Sequence, residues 1–281
     1  MSAREPAETA EVAVKAGVKK ARRTWDQVLV SSFLAGAYIA FGGMVAITVS
    51  SGLNPETWGT LPTLFTGAAF TLGLVLVVVA GSDLATGNMM LVPLGAMRGK
   101  ISPGDVVRNL TLVLVGNLLG ALFVAYFLAV QTGVIGGTGA EGPAALTHAR
   151  LEQIALDKAT AHSAWQTFLR AVGCNWLVCL AVWMSLAATS VSGKILAIFF
   201  PIMAFVAMGF DHVIANMFFI PAAIWAGVPD IGWGDALGNW LFAGLGNLVG
   251  AVVFVATSYW YLFLKDQPDK VTAVEEPAER A

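Results

Sequence analysis

An aspartate, four residues, Asn-Met, three residues and a proline occur twice in this chain: Asp83, Asn88, Met89 and Pro93, then Asp211, Asn216, Met217 and Pro221. Each copy lies inside a long apolar run, where an ionisable side chain is costly and by default marks a functional site. The second copy adds His212, the one histidine deep in an apolar segment. A neutral imidazole donates a hydrogen bond to a passing anion. A protonated one attracts the anion and can hand it a proton, and an unperturbed pKa of about 6.5 places that switch near physiological pH. A core histidine bonded to a neighbour is the plain alternative, but the helix break expected around Gly209 and Asp211 favours function.

Other candidates surround these. Thr86, the polar residue of the first copy, either donates to an anion or satisfies backbone. Asp83 and Asp211 either ligate an ion or cap the half-helices that follow them. Their symmetry favours scaffolding, and Asn88 and Asn216 go with them. Asn175 lies in an apolar run and needs a partner; an imidazole nitrogen of His212 would serve and fix its tautomer. Arg170 is expected to snorkel outward. Lys158, in a polar loop, either concentrates anions at a pore mouth or is simply solvated.

The elements that must position these groups are membrane spans. The chain is 57% hydrophobic and 12% charged, so a soluble domain is excluded. Apolar segments run over about 27–50, 62–96, 104–131, 164–190, 195–227 and 234–264. The second and fifth each contain one copy of the motif, and we expect each to be a helix, a short irregular stretch and a half-helix. Such backbone is tolerated at membrane depth only where protein or a water-filled cavity satisfies it. Lys and Arg cluster in the arm 1–24, around Arg98, Lys100 and Arg108, at Lys194, and at Lys265 and Lys270, whereas 51–61 and 228–233 hold none. That bias predicts cytoplasmic termini and an external loop 132–163, with Arg150 and Lys158 as exceptions. We expect an amphipathic surface arm over 1–24, a channel domain over 25–265 and a disordered tail over 266–281. Cys174 and Cys179, five apart on one span, suit packing rather than a disulfide.

The repeat extends further. Asn109 and Gly116-Asn117-Leu118-Leu119-Gly120 match Asn239 and Gly246-Asn247-Leu248-Val249-Gly250. The unit is three spans, at about 25–131 and 164–264. An odd span number inverts the second copy, so the two breaks can converge on one pore. The Gly-x-x-x-Gly pairs are read as helix-packing sites, and Asn117 and Asn247 as partners for freed backbone.

No metal-ligand cluster, nucleophile motif or phosphate loop is present, so we expect no enzyme, no metal, no cofactor and no nucleic-acid partner. The stretches Val79–Gly87, Gly173–Ala181 and Gly209–Phe218 resemble, in order, three diagnostic segments of the formate/nitrite transporter family. The resemblance implies an all-α integral membrane protein with an aquaporin-like six-span protomer. Its two inverted three-helix repeats break helices two and five. It also implies a homopentamer in the cell inner (plasma) membrane, passing small monovalent anions such as formate, nitrite or hydrosulfide, formate foremost, with protons. By motif, His212 would be the central pore histidine, Asn175 its partner, Thr86 the polar residue of the break and Lys158 the vestibule lysine. Phe70, Leu74 and Phe205 would form a cytoplasmic constriction, with Leu84 and Val178 in a periplasmic one. Ala85 stands where the family often has an aromatic or bulky residue before the threonine, which implies an outer constriction that is wider or less apolar. The rivals are an aquaporin-type neutral-solute channel, which the missing Asn-Pro-Ala pair disfavours, and a non-transporting subunit that docks a formate enzyme.

Overall fold

The computed structural model describes residues 3–267, so the tail expected over 266–281 lies almost wholly outside the described residues. The helices are α1 (Pro6–Ala21), α2 (Trp25–Ser50), α3 (Pro55–Trp58), α4 (Leu61–Ala80), α5 (Ala85–Met97), α6 (Pro103–Val130), α7 (Gly142–Ala159), α8 (Ala164–Ala187), α9 (Val191–Ala207), α10 (Val213–Ala226) and α11 (Trp233–Phe263). Strand-like pairing among the described residues is limited to one bridge between Ala3 and Ala188. Five helices (α2, α4, α6, α8 and α11) are long and apolar enough to cross a bilayer. Helices α9 and α10 are shorter and apolar. Exposed residues such as Leu119, Phe127, Trp176, Leu241 and Leu245 give these helices an apolar exterior, as a multi-pass membrane protein requires.

Sequence dictates how the helices meet. Helix α2 packs on α6 and α4, and α8 on α11 and α9; the two groups join along α4 and α9. A Cβ at Gly120 would stand 2.0 Å from the Phe33 carbonyl oxygen, and one at Gly250 would stand 2.4 Å from that of Val172. These glycines let the helix backbones touch, which is how helices associate where lipid offers no hydrophobic drive.

Two breaks interrupt the spans as expected. Helix α4 stops at Gly81, with φ 84°, and α9 is followed by Gly209, with φ 71°. Both conformations are left-handed and favour glycine. Helices α5 and α10 resume after a few irregular residues. The arm is more than a surface helix: α1 packs on α5, burying Ala10, Ala13, Val14 and Gly17. The loop 132–163 contains α7, which packs on α10.

Candidate functional site

The freed backbone of each break is held by one asparagine. Asn117 Nδ2 donates to the carbonyls of Ser32 (2.7 Å) and Asp83 (2.9 Å), and its Oδ1 accepts from Ala85 N–H at 2.8 Å. Asn247 repeats this: Nδ2 donates to Ala171 (2.8 Å) and Asp211 (2.9 Å), and Oδ1 accepts from Val213 N–H at 2.9 Å. Backbone groups that would be intolerable in hydrocarbon are thereby satisfied inside the protein.

The aspartates are scaffold of a different kind from the expected caps. Each stands one residue before the cap position, which Leu84 and His212 occupy. Both carboxylates are buried and carry two cations each. Asp83 binds Lys20 at 2.6 Å and also Arg23; Asp211 binds Arg170 at 3.0 Å and Lys158 at 3.4 Å. Asn88 Nδ2 donates to Asn109 Oδ1 (3.0 Å) and Asp83 Oδ1 (3.4 Å), and Asn216 Nδ2 to Asn239 Oδ1 (2.8 Å) and Asp211 Oδ1 (3.0 Å). Arg170 thus turns inward instead of snorkelling. Lys158 is buried on α7, not solvated, and donates to the carbonyls of Gly209 and Phe210.

His212 stands apart from this symmetry. As N-cap of α10 its Nδ1 accepts from Ala215 N–H at 3.1 Å. The ring proton therefore sits on Nε2, which lies 2.9 Å from Thr86 Oγ1. Imidazole donates, hydroxyl accepts, and the Thr86 proton is left to donate elsewhere. The expected Asn175–His212 bond is not formed. Asn175 Nδ2 donates instead to the carbonyls of Asn247 (2.7 Å) and Thr86 (3.2 Å), so it fixes the backbone that carries Thr86.

His212 faces a cavity of about 10 Å3 walled by Ile39, Phe70, Leu74, Leu84, Val178, Ile202 and Phe205. That is about the room one water centre needs. A chamber of about 340 Å3 opens toward α7, reaching Phe70, Phe205 and His212, and one of about 220 Å3 opens toward α1, reaching Leu74 and Leu84. All five expected constriction residues wall the small cavity. Their division differs from expectation. Phe70 and Phe205, 6.0 Å apart edge to face, bound the α7-side chamber, whereas Leu74 and Leu84 bound the α1-side chamber. Sequence order along α4 does not say which turn faces which chamber. Ala85 lines neither chamber nor the cavity.

Sequence reasoning missed Ile39 and Ile202, which carry no polar signal, and gave Lys20 and Arg23 no role beyond orientation. Both cysteines are free and buried. Among the described residues no group of three or more His, Cys, Asp or Glu could hold a metal.

The model of the formate/nitrite transporter family matches residues 7–261. The chain belongs to the formate/nitrite transporter family. It is 46% identical to a probable formate transporter of Methanothermobacter thermautotrophicus, over 94% of this chain and 99% of that one. It is 36% identical to nitrite transporter NirC of Salmonella typhimurium, over 90% and 89%. A solved FNT family ion channel superposes with TM-score 0.81 at 32% identity, covering 91% of this chain and 98% of the other. A pentameric formate channel with formate bound gives 0.73 at 30%, covering 85% and 98%. The family is one of channels and transporters and not of enzymes, and this protein is a formate/nitrite-family channel with several membrane-spanning helices.

Proposed function

We propose that this channel passes a small monovalent anion, formate first and nitrite next, as its neutral acid. The supporting observation is His212, the one polar residue lining an apolar cavity with room for about one water, its Nε2 bonded to Thr86 Oγ1 just behind the wall. A bare anion there would carry a desolvation penalty of several kcal/mol, on the order of that for any buried unpaired ion, whereas a protonated acid crosses far more cheaply.

The geometry favours one proton route over another. A second proton on His212 would sit on Nδ1 and displace the Ala215 N–H bond. His212 therefore works best as a neutral donor that polarises Thr86 and orients the acid by hydrogen bonds, while the proton that neutralises the anion is drawn from bulk water through the chamber and returned to bulk on the far side. Lys158 and Arg170 at the α7-side chamber, and Lys20 and Arg23 at the other, supply positive potential at both mouths. The wider proposal is a six-span protomer of two inverted repeats over 25–265, in a homopentamer in the inner membrane, termini cytoplasmic. Proton-linked uptake would then follow the weak acid.

The test is flux of formate, nitrite and hydrosulfide into proteoliposomes at two pH values, with His212→Phe beside wild type. We expect pH-dependent flux that the substitution abolishes. Unchanged pH dependence in the variant would sink the proton-linked reading.

A further inference from the structure

The α7-side chamber is lined by three cations, Arg150, Lys158 and Arg170, and one carboxylate, Asp157, with the Asp211 carboxylate buried behind it. The charges do not pair evenly. Asp211 takes Lys158 and Arg170, and Asp157 takes Arg170 at 3.2 Å and approaches His162 at 3.3 Å. Arg150 bonds to no carboxylate among the described residues. Its Nε donates to Ser50 Oγ (2.9 Å), its Nη2 to Thr66 Oγ1 (2.9 Å) and its Nη1 to Gln153 Oε1 (3.1 Å). The hydroxyl protons of Ser50 and Thr66 are themselves spent on the carbonyls of Ala46 and Pro62, both at 2.7 Å, so the two oxygens can only accept from Arg150. The guanidinium is held in place by neutral groups that leave its charge uncompensated. Burial lowers its pKa from the ordinary arginine value, yet a guanidinium keeps its charge.

The hydrogen-bond count gives the ligand class. Nε has one N–H and each terminal nitrogen has two, so one N–H remains on Nη1 and one on Nη2. Two such donors on a planar fork match an anion with two oxygens on one centre. Lys158, spent on Asp211 and two carbonyls, offers less. We propose that Arg150, steadied by Ser50, Thr66 and Gln153, is the docking site for a two-oxygen anion, a carboxylate or nitrite, in the α7-side chamber before the Phe70–Phe205 pair. It rests on the anion-channel reading above. It makes this arginine a source of preference for formate and nitrite over hydrosulfide, which has no second acceptor atom.

Arg150→Lys keeps the charge and loses the fork; Arg150→Gln loses both. Flux of formate and of hydrosulfide is compared in proteoliposomes, with melting temperature recorded for each variant. We expect Arg150→Lys to raise the formate concentration at half-maximal flux about tenfold, the scale of one lost charge-assisted contact, with hydrosulfide nearly unchanged. Arg150→Gln should weaken both. A footprint on the wild type needs no variant to fold: formate should protect Arg150 from phenylglyoxal, read by mass spectrometry. Absent protection at concentrations that saturate flux, or equal loss of both anions in Arg150→Lys, overturns the site and leaves the channel reading standing. A wild type that carries none of the three anions removes that reading and the site with it.

Discussion

Leu84 and His212 hold the same position in two equivalent half-helices. Each is the N-cap residue, one after a buried aspartate and four before a buried asparagine, yet only His212 caps with its side chain. Around them the two halves match bond for bond, through Asn117 and Asn247, Asn109 and Asn239, Asp83 and Asp211. Scaffolding repeats; the polar pair at the centre comes once from each half, with Thr86 opposite His212.

Thr86→Val removes the acceptor of the His212 Nε2 proton and leaves a buried donor unpaired, which costs about 1–3 kcal/mol. We expect formate flux to fall roughly tenfold or more, with Thr86→Ser restoring most of it. Initial rates in proteoliposomes measure both. Equal rates in Val and Ser variants would mean the hydroxyl has no part.

Asn117→Ala and Asn247→Ala should destabilise the protein alike. Each strands one N–H and removes a donor from two carbonyls, for a loss of several kcal/mol at about 1–3 per unpaired group. Thermal melting in detergent is the measurement. A silent Asn117→Ala would show that the first break is held by something else.

Asp211→Asn leaves Lys158 without its carboxylate and Arg170 with Asp157 alone. The cations keep 9% and 23% side-chain exposure, so water offsets part of the loss. We expect about 2–3 kcal/mol, below the full cost of breaking a buried pair, and an equal or smaller loss for Asp83→Asn, whose cations are 20% and 28% exposed. Melting temperatures of the two variants, compared directly, decide the order.

Much of this architecture is legible in the sequence. The doubled motif marks both breaks, because glycine, aspartate and asparagine clustered inside a lipid-length apolar run interrupt a helix and demand polar partners there. The Gly-x-x-x-Gly pairs mark the tight helix contacts. What stays hidden is direction around a helix axis. Arg170 turns inward and Asn175 reaches backbone instead of His212. Each depends on rotation and on what the neighbouring helix presents, and spacing along one helix does not encode that. Arg150 is visible in the sequence only as an exception to the charge bias, since its value depends on which carboxylates are already taken.

In the proposed passage the barrier to bare ions has two apolar parts, Phe70 with Phe205 at the α7-side chamber and Leu74 with Leu84 at the α1-side chamber. On that reading the two parts act in series, and opening one leaves the other. We therefore predict that Phe205→Ala and Leu84→Ala each raise formate flux modestly and stay tight to chloride, an anion that no proton donor here can neutralise. The double variant joins the two chambers by a wet path, and hydration then removes the several-kcal/mol penalty, an order-of-magnitude figure, that keeps chloride out. Chloride efflux from loaded proteoliposomes should rise at least about tenfold in the double variant alone. A chloride leak in either single variant would place the whole barrier in that one part, and a double variant still tight to chloride would place it at His212 and Thr86 themselves.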